Sequence, residues 1–260
     1  MDSNIIKFSR LYVTIATNMN KTIDTSDRLF MSIVGPSGSG KTRLIFDMLA
    51  NNVFQPNFQK VFYFYQHDQP IYNQLRSNAN SIEFVQGIDF DMINNLPLLA
   101  NGGSYLLVFD DSCEELFKSK DFLMIATAGR HKKLGVVFIK HNLFHKSSFG
   151  RDIELQLTHI VLFKNPRDVN QVNHLARQLG LAGELDKWYK DSTEVPFGFL
   201  MIDLSPRTND LLRYSSGFNP TQFHLPRSKA RLTFIEDVHT VRTYSKSVDG
   251  FIDSLKETSS

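Results

Sequence analysis

The chain has 260 residues, 42% of them hydrophobic, enough for one large α/β domain or a core domain with a tail. A formal net charge of only +2 excludes a globally basic nucleic-acid binder and leaves any such contact to a local patch. The single cysteine, Cys113, excludes an intramolecular disulfide framework and fits a reducing, intracellular setting. Residues 1–10 hold no apolar core of signal-peptide length, and no stretch approaches about 18 uninterrupted apolar residues, so no membrane span is expected. Phenylalanine is frequent, 22 residues, and is expected to pack the core and a Phe-rich interface rather than to form a stacking platform for bases.

Residues 29–34 form a short apolar run ending in glycine, which predicts a buried strand. Residues 41–51 carry Leu44, Ile45, Met48 and Leu49 at the spacing of one buried helical face. Strands are expected at 61–65, 82–85 and 104–109, the last running into Asp110-Asp111. A helix is expected over 114–128, then a strand at 136–139 ending at His141-Asn142. A strand at 159–163, a helix over 168–179 and a strand at 197–204 complete the pattern. Apolar strands alternating with helices predict an α/β fold with a central, mostly parallel sheet flanked by helices. The expected organisation is an N-terminal extension at 1–26, a core at 27–217 and a partly flexible tail at 218–260, where Pro220, Pro226 and mixed charges weaken the pattern.

Gly35, Pro36, Ser37, Gly38, Ser39, Gly40, Lys41 and Thr42 meet the full G-x-x-x-x-G-K-[ST] pattern of a phosphate-binding loop. Glycines and small serines let backbone N–H groups turn inward around a phosphate, and the following helix adds its positive end. Lys41 would reach the β- and γ-phosphates of ATP, and Thr42 would place its hydroxyl on Mg²⁺. Asp110, at the end of an apolar strand, is placed to hold that metal through water. Asp111, one residue on, would point differently and could polarise the attacking water as a general base. An acid at this point predicts the P-loop NTPase class with an additional strand and a catalytic acid, the ASCE type. Residues 136–139 would be the inserted strand. Asn142 would then either contact the γ-phosphate or cap a turn.

Taken in order, the phosphate loop, Leu107-Val108-Phe109-Asp110-Asp111, Gly129-Arg130-His131, His141-Asn142-Leu143-Phe144 and residues 160–168 (Ile-Val-Leu-Phe-Lys-Asn-Pro-Arg-Asp) carry a resemblance. They resemble the genome-packaging ATPases of poxvirus-type large DNA viruses, polinton-like elements, adintoviruses and virophages, within the FtsK/HerA superfamily. The resemblance runs from about Phe30 to Leu179, and its Asn-Leu-Phe and Leu-Phe-Lys-Asn-Pro-Arg-Asp segments are its specific part. It implies that Asn142 is the sensor residue, with His141 standing where family members usually have glutamine. It implies a homo-oligomeric ring, a pentamer or hexamer, acting on double-stranded DNA with viral capsid proteins as partners. The setting implied is the host nucleus, a cytoplasmic virus factory or the virion. It also implies an arginine finger from a neighbouring subunit, for which Arg130 has the superfamily's position and Arg151 and Arg167 are rivals.

Residues 118–151 hold eight basic side chains (Lys118, Lys120, Arg130, Lys132, Lys133, Lys140, Lys146 and Arg151) against one acid, Asp121. Such a segment could track a phosphate backbone, or be an ordinary solvated face. His141 and His145 are four apart, but with no third ligand they do not make a metal pair. A nucleotide or nucleoside kinase would share the loop and the size, but would need an arginine-rich lid that the sequence lacks. The Asn-Lys-x-Asp segment of GTPase switches is also missing.

Overall fold

The computed structural model describes residues 5–9, 12–17, 22–76, 81–99, 104–111, 113–128, 134–167, 169–210, 212–218, 221–225, 231–235 and 241–247. The chain opens with β1 (Ile5–Ser9), β2 (Tyr12–Thr17), β3 (Ile23–Asp24) and β4 (Phe30–Val34), then α1 (Lys41–Ala50), β5 (Phe54–Gln55) and β6 (Lys60–Tyr65). There follow α2 (Pro70–Arg76), β7 (Ile82–Gln86), α3 (Phe90–Leu99), β8 (Tyr105–Asp110), α4 (Cys113–Leu116) and α5 (Lys120–Ala128). Next come β9 (Leu134–Lys140), α6 (Gly150–Glu154), β10 (His159–Phe163), α7 (Val169–Gln178), α8 (Glu184–Ser192) and β11 (Phe199–Asp203). The described chain ends with β12 (Tyr214–Ser216), β13 (Thr221–Leu225), β14 (Arg231–Ile235) and β15 (Val241–Ser247).

Eleven strands make one sheet in the order β1-β2-β13-β12-β11-β10-β4-β9-β8-β6-β7. From β10 to β7 every pairing is parallel. From β10 back to β1 every pairing is antiparallel, so the sheet is mixed. β9 lies between the loop strand β4 and the acidic strand β8. It is the inserted strand expected at 136–139, and it makes the fold a P-loop NTPase of the ASCE type.

Both faces of the parallel half are covered, which is why its strands read as unbroken apolar runs. Phe62, Phe64, Leu107, Phe109, Val136 and Phe138 pack on one side against α3 to α8. Val61, Tyr63, Leu106, Val108, Val137 and Ile139 pack on the other against α1 and α2. Phenylalanines fill much of the first side: Phe138 meets Phe30 and Phe117 edge-on with centroids 5.4 Å apart in each case. Such pairs add about 0.5–1.5 kcal/mol each beyond the area they bury.

Two expectations are corrected. The helix expected over 114–128 is split into α4 and α5. Ser119 Oγ accepts the N–H of Phe122 at 3.2 Å, capping a fresh helix start where a continuous one was expected. The stretch after Phe218 was expected to have little core. Instead β13 pairs with both β12 and β2, with Phe223 and His224 buried. The residues before 27 likewise supply two strands of the same sheet.

Candidate nucleotide site

β4 is buried along its whole length and delivers the chain into the loop at Gly35. A Cβ on Gly35 would lie 2.7 Å from both Phe163 Cβ and Ser39 Oγ, so no side chain fits there. Gly40, at φ 98°, adopts the left-handed conformation that glycine reaches without strain, and α1 starts at the next residue. The positive N-terminal end of α1 therefore adjoins the loop. Lys41 is buried, and its Nζ donates to Pro36 O at 2.8 Å across the loop.

Asp110 ends β8 with 2% of its surface exposed. Its Oδ2 accepts three hydroxyls: Tyr63 at 2.6 Å, Tyr72 at 3.0 Å and Thr42 at 3.1 Å. Burial raises the Asp110 carboxyl above the ordinary carboxylate range; the Tyr63 hydrogen bond opposes this, and the nearby Asp111 charge adds to it. Burial and the Asp110 charge push both tyrosine hydroxyls above their ordinary range, which keeps them as donors. Neither tyrosine stands out in the sequence. Tyr63 reads as one more buried residue of an apolar strand, and nothing in its spacing ties Tyr72 of α2 to Asp110.

Thr42 and Asp110 thus present adjacent oxygens at the junction of α1 and β8, the hard donor set that Mg²⁺ takes. Among the described residues no group of three or more His, Cys, Asp or Glu could hold a metal. A magnesium ion here would share its remaining positions between phosphate oxygens and water.

Asp111 has φ 55°, a left-handed conformation uncommon outside glycine, and its side chain takes a different partner from that of Asp110. Its Oδ1 lies 3.1 Å from Nε2 of His141, which follows the neighbouring strand β9; both side chains are partly exposed. His141, the departure from the expected glutamine, is therefore the partner of the expected base. Asn142 is exposed beside it.

The sequence matches the family described as Poxvirus A32 protein over residues 18–190, well over half of the chain. The chain belongs to the Poxvirus A32 protein family. No curated protein matches it. Among solved structures, it is similar to the genome packaging NTPase B204 from Sulfolobus turreted icosahedral virus 2. The sulfate complex of B204 shares 16% identity and covers 77% of this chain and 97% of its own, with a TM-score of 0.49. The ATP-gammaS complex gives 16%, 78% and 98%, with a TM-score of 0.47. The cytoplasmic domain of the type VII secretion ATPase EccC of Thermomonospora curvata shares 13% identity, covering 75% of this chain and 25% of that one at a TM-score of 0.47.

In this A32-family chain the segment after β9 is anchored from below. Lys140 Nζ donates to Leu143 O at 2.5 Å and to Glu154 Oε1 at 2.8 Å. The same ammonium lies over the rings of Phe117 and Phe138. Gln171 Oε1 accepts the N–H groups of Leu143 at 2.7 Å and Phe144 at 3.2 Å, and Glu154 Oε1 also accepts the N–H of His145 at 2.9 Å. Glu154 and Gln171 come from α6 and α7, so no local pattern reveals them. Lys140, counted above with the basic stretch, is 2% exposed and is unavailable to a phosphate backbone. Lys118 is paired with Glu114, whereas Lys120, Lys146 and Arg151 are exposed. Arg130, His131, Lys132 and Lys133 lie outside the described residues. Arg167 is exposed in the turn after β10, its N–H bonded to Asn165 Oδ1 at 3.2 Å.

The loop has a second wall in this A32-family fold. Residues 193–198, between α8 and β11, face Pro36, Ser37, Gly38 and Ser39 across an open cavity of about 400 Å³. Tyr189 of α8 fixes this side: its hydroxyl donates to Phe163 O at 3.0 Å and accepts the Asn165 N–H at 2.6 Å. Among the described residues no helix is long and apolar enough to cross a membrane.

Proposed function

We propose that this chain is an ATP-hydrolysing motor that moves double-stranded viral DNA into a capsid, working as a homo-oligomeric ring. The observation that carries the hydrolytic part is the convergence of Thr42 on Asp110, with the Asp111–His141 pair alongside at the ends of adjacent parallel strands. Membership of the Poxvirus A32 protein family supports the packaging part, together with the Asn-Leu-Phe and Leu-Phe-Lys-Asn-Pro-Arg-Asp segments.

In this reading the N–H groups of Ser37, Gly38, Gly40, Lys41 and Thr42 and the Lys41 ammonium hold the phosphates of ATP. Thr42, and Asp110 through water, would hold Mg²⁺, which would supply neutralisation of phosphate charge. Asp111 accepts a proton from the attacking water, and His141 orients that carboxylate through its ring nitrogen. Asn142 contacts the γ-phosphate or the water. Arg130, or else Arg151 or Arg167, enters the site of a neighbouring subunit and stabilises charge as the terminal phosphate departs. The exposed Lys120, Lys146 and Arg151 supply phosphate-backbone contacts without reading sequence.

The test is ATP turnover with and without double-stranded DNA, for wild type and Lys41→Ala, alongside the oligomeric state by light scattering. DNA-stimulated turnover that Lys41→Ala abolishes, in an oligomer, is the expected result. Steady, DNA-independent turnover by a monomer would overturn the motor. Wild-type rates in Lys41→Ala would overturn the site.

A further inference from the structure

The connection from α8 to β11 holds a strained aromatic residue beside the phosphate loop. The Gly198 N–H donates to Val195 O at 3.0 Å, closing Val195-Pro196-Phe197-Gly198 into a β-turn. Proline stands at its second position, and the third has φ 62°. That is the pattern of a type II turn, whose third position is normally glycine. Here it is phenylalanine, and its side chain is 70% exposed rather than buried as a reward for the strain. The turn is pinned in place: a Cβ on Gly198 would come 2.4 Å from Ser192 O, at the end of α8. Strained residues held by their surroundings cluster where ligands are clamped.

The ring of Phe197 abuts the loop itself, since a Cβ on Gly40 would lie 3.1 Å from Phe197 Cδ1. Thr42 and Asp110 mark the metal and terminal-phosphate end of the site, on the β8–β9 side of β4. β10 and β11 lie on the opposite side of β4, and residues 193–198 lead into β11. A triphosphate seated in the loop with its γ-phosphate at Asp110 therefore directs its base toward this turn. The cavity there is shared by the loop, Val195 and Phe197.

We propose that Phe197 is the stacking platform for the purine base of the bound nucleoside triphosphate, with Val195 flanking it. This rests on the nucleotide-site reading above. Stacking on an aromatic ring is worth enough per base to shift affinity by about tenfold or more.

The test is calorimetric binding of Mg·ATP and of inorganic tripolyphosphate to the full chain, without turnover. Phe197→Gly suits the backbone at φ 62°, so its melting temperature should equal or exceed that of wild type. It should weaken ATP binding about tenfold or more while leaving tripolyphosphate unchanged. Phe197→Trp should restore ATP affinity and add an indole whose fluorescence ATP quenches and tripolyphosphate does not, against a buried Trp188. Lys41→Ala should lose both ligands, which tests the loop separately. Undiminished ATP affinity in Phe197→Gly would overturn the proposal and leave the loop reading standing. So would equal loss of both ligands in that variant. Binding of neither ligand by wild type would overturn both.

Discussion

The Tyr63 hydroxyl donates to Asp110 Oδ2 at 2.6 Å, from a strand adjacent to the one that ends in Asp110. Tyr63→Phe keeps the ring packed and removes only this donor, leaving Tyr72 and Thr42 on the same oxygen. The expected stability loss in urea unfolding is about 1–2 kcal/mol, the usual range for a buried acceptor deprived of one partner. The Mg²⁺ concentration for half-maximal ATP turnover should rise several-fold, because the carboxylate is less firmly aimed. An unchanged Mg²⁺ dependence would reduce Tyr63 to a structural role.

Asp111 and His141 are expected to act as a pair. Asp111→Asn should lower ATP turnover by about a hundredfold or more while nucleotide binding survives, in the range attributed to general bases. His141→Ala should lower turnover by about tenfold, and His141→Gln, which restores a side chain able to hydrogen-bond Asp111, should stay within a few-fold of wild type. Single-turnover rates at saturating ATP read the difference. Equal loss in the alanine and glutamine variants would contradict the orienting role.

Buried Lys140 and exposed Lys146 should respond oppositely to truncation. Lys140→Ala leaves the Glu154 carboxylate without its ammonium in a buried setting and should cost about 3–5 kcal/mol in urea unfolding. Lys146→Ala should stay within about 0.5 kcal/mol of wild type and show its effect, if it touches DNA, as a shallower salt dependence of binding.

His224 lies between Ser192 Oγ at 3.0 Å and Ser216 Oγ at 3.2 Å, stacked on Trp188. Burial lowers its pKa from 6.5 to about 4. The unfolded chain takes up a proton near pH 6.5 that the folded chain refuses until about pH 4. Stability contributed by this residue is therefore complete above pH 6.5 and falls as the pH drops toward 4, by on the order of 3 kcal/mol in all. Thermal melts at neutral and mildly acidic pH should show the loss, and His224→Gln should flatten the slope.

The parallel half of the sheet was legible because its strands are buried on both faces, and continuous runs such as those of β4, β8 and β10 have no other reading. The loop was legible because backbone phosphate binding demands glycine at fixed spacing, as the crowding at Gly35 illustrates. Of the antiparallel strands beyond β10, only β11 was, inside the strand expected at 197–204. β12 is three residues long, and β2 and β13 gain their meaning from each other across almost the whole chain. In the site, Asp110 and Asp111 announced themselves as a strand-end pair. Tyr63, Tyr72, Glu154 and Gln171 did not, because each reaches the site from an element of its own through a contact that sequence spacing cannot encode. Lys140 was misread for a related reason. A lysine at the end of an apolar strand looks like the first solvated residue, and only α6 and its Glu154 explain its burial.

The position of β13 between β2 and β12 also bears on synthesis. During translation the segment carrying β2 leaves the ribosome long before the strand that joins it to the sheet. Until residues 221–225 emerge, the β1–β2 ribbon has no place to dock, while the parallel half with its phosphate loop already has all its strands. A ribosome stalled shortly before residue 221 would thus hold a chain with every strand of the nucleotide site made, yet with the opposite edge of its sheet open. Such an edge is an invitation to pair with a second nascent chain.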